Sequence, residues 1–282
     1  MDGGVLVFAR FGLMADLALL MGLPLFWWAM GMAGSRMVLV ALALGGMALS
    51  ALWLLASGAS MTGTAMLPPD WATAEILLTM TPIGPVLAVR AAALLAALGL
   101  AVAGRTRLVL IPAAVAAATI AWTGHAGATE DMTGTIHRAA DVAHIWAASG
   151  WIGALAALLH AVTAHRPQVD RVAVMLAKFS LLGTVFVATL VVTGVVNSLM
   201  IVGIADLPAL AGSRYGWLLG AKLLLFVGML GLAALNRWRL TPALERGDGA
   251  IGALRLSLAV ETGAAIAIMA LVALLGTLDP MG

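Results

Sequence analysis

The residues best suited to chemistry crowd into one stretch of the chain. It reads Gly124-His125-Ala126, then Glu130, Asp131 and Met132, then His137, Asp141 and His144. Positions 137, 141 and 144 follow the i, i+4, i+7 pattern, so on a helix they share one face. His144 then lies about two turns, roughly 10 Å, below His137. His125 closes the preceding apolar segment, where it can meet that face. Two or three imidazoles with a carboxylate suit Cu(II) or Zn(II), and a thioether such as Met132 suits Cu(I). Met61 and Met66, followed by Met80, lie in or beside an earlier loop and offer the same soft chemistry. Each of these residues also has a plainer reading: histidines as ordinary interface residues, methionines as apolar filler. His160 and His165 fit that plainer reading better than a role as exit ligands. The chain has no cysteine, which removes disulfides, thiolate metal sites, iron–sulfur clusters and redox thiols.

A second set of polar residues sits inside apolar segments, where ionisable groups are costly and mark functional candidates. It comprises Arg10, Asp16, Arg90, Asp141, His144, Lys222 and Glu261, with polar Asn197. Arg90, Asn197, Lys222 and Glu261 are read as polar residues of a transport path. Structural ion pairs are the competing explanation, with Glu261–Lys222 and Asp16–Arg90 as the expected partners. Trp146 and Trp151 flank His144 and are expected to seal its pocket. Most of the nine tryptophans lie near span ends as interface anchors.

The elements that position these groups follow from hydropathy. Of the 282 residues, 63% are hydrophobic and 10% charged, against about 25% charged in soluble domains. Mean hydropathy is +1.08, and no soluble fold of this size hides so much apolar surface. The expected fold class is therefore all-α integral membrane. Eight apolar segments approach the roughly 20 residues that a helical span needs: 5–32, 37–57, 75–103, 107–123, 135–163, 173–203, 215–238 and 253–276. Strand-sized alternation is missing, which argues against an outer-membrane barrel. The first segment is long and carries Arg10 and Asp16, so it reads as a span and not as a signal peptide.

Arginines set the orientation. Arg36, the Arg105/Arg107 pair, Arg166 with Arg171, and the group Arg237, Arg239, Arg246 and Arg255 fall on alternate connections, which assigns that side to the cytoplasm. The other connections carry Asp70, Glu75, Glu130, Asp131 and Asp206. With an even number of spans both termini lie outside. The pI of about 9.7 reflects these topology signals and not nucleic-acid binding.

Segments three and seven resemble each other at an offset of 132. Gly84 matches Gly216, Arg90 matches Lys222, Ala101 matches Ala233, and Arg105-Thr-Arg107-Leu108 matches Arg237-Trp-Arg239-Leu240. Four spans separate the copies, so they share an orientation. The expectation is a single polytopic domain over 1–282 made of two four-helix halves, 1–123 and 124–282, related by a parallel internal repeat.

The run from Asp141-Val-Ala-His144 through Trp151-Ile-Gly153 resembles the signature of the CopD copper-resistance family of inner-membrane proteins. Gly124-His125-Ala126, Thr193-Gly194 with Asn197, Tyr215-Gly216 with Lys222, Leu235-Asn236-Arg237 through Pro242, and Val260-Glu261 fit the same pattern. The resemblance is strongest from about 120 to 277. It implies an eight-span protein that moves copper, as Cu(I) or Cu(II), inward from the periplasm in copper homeostasis or resistance. It also implies a periplasmic copper-binding partner of the CopC type, expected as a separate chain because no long polar segment is present to hold one. By this carry-over His125 and His144 are the strongest copper candidates, while His137 and Asp141 come from helical geometry.

Two other readings stay open. A b-type haem electron carrier needs axial histidines on facing helices at similar depth, and only His125 could serve His144. A copper-binding sensor or assembly protein would bind without flux. An enzyme is not expected, since no nucleophile–base pair or ATP-binding motif is visible.

Overall fold

The computed structural model describes residues 2–124, 127, 131–165, 167–203, 210, 212–247 and 249–279. Among them every regular element is helical. The ten α-helices are α1 (Asp2–Met30), α2 (Arg36–Thr62), α3 (Trp71–Thr79), α4 (Ile83–Val102), α5 (Leu110–Ala118), α6 (Asp131–Thr163), α7 (Val169–Val202), α8 (Arg214–Leu235), α9 (Thr241–Glu245) and α10 (Ile251–Leu275). A 3-10 turn, Thr119–Thr123, continues α5, and a π turn, Asn236–Leu240, joins α8 to α9.

Seven of these helical stretches are long and apolar enough to cross a membrane. Their outward faces are strongly apolar, with Leu181, Leu224 and Trp217 among the most exposed side chains. That suits contact with lipid, where apolar exposure carries no penalty. The fourth expected span is the exception. Leu110–Thr123 forms only a shorter apolar helix. Its path nevertheless runs beside most of α1. At one end Thr106 lies against the Gly34 turn that follows α1. At the other, Arg10 Nη1 donates to the Thr123 carbonyl at 3.3 Å. The tighter 3-10 turn, with its greater rise per residue, stretches a short helix over that depth.

The helices pack around two apolar cores. One draws on α1, α2, α4 and α5, with Leu17, Leu39, Leu94 and Ala113 fully buried. The other draws on α6 to α10, with Leu158, Val172, Leu254 and Leu258 at its centre. Helix α1 belongs to both, since its Phe26 packs in the second core. It meets α6 at a backbone-to-backbone crossing: a Cβ at Gly22 would run into the Ser149 carbonyl, and one at Gly153 into Gly22 itself. Small residues let membrane helices approach this closely, and packing replaces the absent hydrophobic driving force.

Local sequence explains several helix ends. Ser35 caps α2, and Gly63 ends it in the left-handed conformation at φ 67°. Asp70 caps α3 by accepting the Thr73 N–H (3.1 Å) and hydroxyl (2.6 Å), and these bonds hold its carboxyl below the usual range. The turns leading into α4 and α8 repeat one another. The Thr81 hydroxyl accepts the Ile83 N–H and donates to the Leu77 carbonyl. Ser213, at the matching position, accepts the Gly216 N–H and donates to the Leu210 carbonyl. A Cβ at Gly84 would strike the Leu78 carbonyl, and one at Gly216 the Leu210 carbonyl. The glycines are needed because each turn folds back onto the first coil of its helix.

Candidate functional site

Helix α6 is continuous through His137, Asp141 and His144, so the shared face expected from their spacing is present. His137 is fully buried. Asp141 and His144 turn toward α7 and α8. The Asn197 amide of α7 donates to Asp141 Oδ1 at 3.0 Å. The Lys222 charge, on α8, acts on both Asp141 and His144.

His144 is oriented by a threonine. Its Nδ1 lies 2.9 Å from Thr193 Oγ1, while that hydroxyl donates to the Thr189 carbonyl at 2.6 Å. A hydroxyl whose proton is already committed accepts from the ring. The network therefore places the proton on Nδ1 and leaves the Nε2 lone pair for a ligand. Gly194, beside Thr193, leaves the ring edge room: a Cβ there would sit 3.7 Å from His144 Cε1. Thr193 was not among the residues singled out for chemistry. Its hydroxyl bonds back to its own helix, the usual fate of threonine in a membrane helix, and only its place in the Thr193-Gly194 motif sets it apart in the sequence.

The remaining metal candidates are dispersed. Met61 ends α2 with its side chain exposed, and Met132 is exposed near the start of α6. Met66 is partly buried against the first core and lines a small pocket with Leu54, Gly58 and Asp70. His125 lies outside the described residues. Among the described residues, no three His, Asp or Glu side chains gather closely enough to hold a metal ion.

Neither expected ion pair forms. Arg90 is wholly buried. Its Nε donates to Thr119 Oγ1 at 2.7 Å, and its guanidinium stacks 5.8 Å from the Trp53 ring. Its two terminal nitrogens have no hydrogen-bond partner, and neither has Asp16 Oδ2. Asp16 instead rests against Gly45 and Gly46 of α2. Glu261 is bonded by Trp151 Nε1 (3.2 Å) and Asn236 Nδ2 (3.1 Å), while the Lys222 charge acts on Asp141. This also corrects the role expected of Trp151, whose indole belongs to Glu261 and not to a seal over His144. Trp146 reaches the Ala114 carbonyl at 2.9 Å.

A many-span helical bundle that sets a half-buried histidine and carboxylate on α6 with a half-buried lysine on α8 defines a class of polytopic membrane proteins with a polar site inside the bilayer. The comparisons narrow this. The family model for the N-terminal domain of copper resistance protein D-like proteins matches residues 1–135, and the model for copper resistance protein D matches residues 173–275. Copper resistance protein D of Pseudomonas syringae pv. tomato is 36% identical over 99% of this chain and 98% of its own length. Inner membrane protein YebZ of Escherichia coli K12 is 28% identical over 57% of this chain and 55% of its own. No solved structure matches. The chain belongs to the copper resistance protein D family, and it is a multi-pass membrane protein.

Proposed function

We propose that this protein carries copper across the bacterial inner membrane, inward from the periplasm, with the metal as cargo. One observation carries the reading: inside the membrane, His144 Nε2 is left with its lone pair because Nδ1 is held by Thr193, and Asp141 lies one turn away on the same face. The full-length similarity to a protein named for copper resistance supports it.

In this reading Met61, Met66 and Met132 meet copper at the outer face, and His125 and His137 pass it to His144. Asp141 stays ready to ligate, held by Asn197 and balanced by Lys222. Weak sites in series favour passage, since a site that binds too tightly does not release. The membrane potential supplies about 2.3 kcal/mol per charge per 100 mV for an inward-moving monovalent cation. Arg90 belongs to the same path in the other half. The two halves, 1–123 and 124–282, are a duplicated pair, supported by the matched turns before α4 and α8. Both termini are periplasmic, supported by the path of Leu110–Thr123 beside α1, which keeps the number of crossings even. A separate periplasmic copper-binding chain of the CopC type delivers the metal.

The described residues offer little to the haem reading. His137, His144 and His160 all lie on α6 and His165 in the exposed turn after it, so none of them faces another across the bundle.

The test is copper bound by detergent-purified protein after loading with Cu(I) under reducing conditions and desalting, with a visible spectrum of the same samples. Wild type retains copper, His144→Ala loses most of it, and neither shows a Soret band. Copper retention and copper-dependent uptake by His144→Ala equal to wild type would sink the proposal.

A further inference from the structure

The second core encloses a polar group remote from His144. Glu261 on α10 is 2% exposed. Its Oε1 accepts the Trp151 indole N–H at 3.2 Å, and its Oε2 accepts the Asn236 amide at 3.1 Å. Two buried atoms beside it have no hydrogen-bond partner: Asn236 Oδ1 and Ser257 Oγ. Ser257 lies one turn before Glu261 on the same face of α10, toward the end of the bundle that carries Arg237, Arg239 and Arg255. The site sits about two turns along α6 from His144, at Trp151.

Asn236 is placed by an irregularity. Pro242 cannot donate a backbone N–H, and its ring crowds the carbonyl four residues earlier. The chain answers with the wider π turn at Asn236–Leu240, closed by the Thr241 N–H and hydroxyl on the Asn236 carbonyl, the latter at 2.8 Å. Single π turns recur at functional positions in helices.

A carboxyl group this deep in a membrane is neutralised by a cation or a proton. The charged side chains on the elements packed against α10 are engaged elsewhere. Lys222 of α8 acts on Asp141 and His144, and Arg214 stands at the opposite end of α8. On α1, Arg10 meets α10 at Gly276, about four turns from Glu261, and Asp16 rests on α2. On α6, His137, Arg138, Asp141 and His144 lie toward the other end of the helix, and His160 is exposed. Arg237 bonds Thr184 at 2.8 Å, Arg239 is exposed, and Arg255 of α10 itself is spent on the Val162 carbonyl. The donor set is all oxygen, which suits a hard ion and not Cu(I). Both carboxylate oxygens already face an N–H, which leaves little space for a metal ion but a lone pair for a proton.

We propose that Glu261, Asn236 and Ser257 form a proton-binding site about two turns from His144, toward the arginine-rich end of the bundle. When Glu261 is ionised, the Asn236 amide donates to it as observed. When a proton binds Oε2, the amide turns over, and its oxygen accepts from the new O–H. No bond other than O–H is made or broken, and the proton comes from and returns to water at the arginine-rich end. The exchange of this proton against copper rests on the transport reading. The binding of the proton does not.

The test is pH-jump infrared difference spectroscopy of the full chain in lipid nanodiscs without copper. Wild type shows a protonated-carboxyl band that Glu261→Gln lacks and that Asn236→Leu shifts in frequency. Trp151→Phe, which removes the Oε1 donor and keeps the ring, shifts the band as well. Helical circular dichroism and a single gel-filtration peak confirm that each variant is folded. A band that survives Glu261→Gln, or one that sodium or potassium displaces at fixed pH, overturns the proposal. Copper retention is measured separately, so failure of the transport reading leaves this result intact.

Discussion

Arg90 and Lys222 stand at matching positions in two similar helices, yet their surroundings differ. Lys222 faces a carboxylate and an imidazole from α6, with Asn197 of α7 completing the group. Arg90 faces a hydroxyl and an indole face, and its terminal nitrogens have no hydrogen-bond partner. Two similar helices thus carry a cation at matching positions, but only the C-terminal region sets groups beside it that can ligate a metal. A guanidinium stays charged under all conditions, whereas an ammonium beside a carboxylate joins a balanced pair. The lesson is that two helices of similar sequence place a charge at matching positions, while the neighbouring helices decide what it does.

The largest expected effect breaks the C-terminal balance. Lys222→Met removes the positive charge that acts on Asp141 and lowers stability by about 1–3 kcal/mol, short of the roughly 3–5 kcal/mol of a fully buried contact pair. The double variant with Asp141→Asn recovers most of that loss. Thermal unfolding in detergent measures both, and a Lys222→Met protein as stable as wild type would remove the contrast between the regions.

Thr193→Val sharpens it. The ring loses the acceptor that fixes its tautomer, and copper affinity falls about 10–100-fold, as for other groups that orient a metal-binding histidine. Stability changes little, and competition with a Cu(I) chelator reads the affinity.

In the N-terminal region effects are smaller. Trp53→Leu costs about 0.5–2 kcal/mol through the lost cation–π contact, and less when Arg90 is already Met, which a double-mutant cycle resolves. Arg90→Met alone shifts stability by no more than about 1 kcal/mol, since removing an incompletely bonded buried charge is often neutral or stabilising. A loss on the scale of Lys222→Met would show that Arg90 has a partner as demanding as Asp141.

The fold was largely legible because a membrane span needs only length and apolarity. Segment 107–123 was harder, since its depth is covered partly by a 3-10 turn and partly by loop, which hydropathy does not register. At the site, the helical period alone placed Asp141 and His144 on one face. What failed was pairing across helices. Lys222 stands out in the sequence as a cation inside a span, but whether it faces Glu261 or Asp141 turns on the relative rotation of α6, α8 and α10, which no single helix encodes. Asn236 stands out in the sequence only as part of a longer motif, because its role depends on a π turn set by Pro242 six residues later.

The crossing of Gly22 on Gly153 has a consequence in time. During synthesis at roughly 5–20 residues per second, α6 emerges many seconds after α1 has entered the bilayer. Through that interval α1 holds Arg10 and Asp16 in lipid with its eventual neighbour not yet made. The first helix of the chain is thus inserted early and docked late, and whatever shelters it meanwhile governs how much of the protein reaches its final packing.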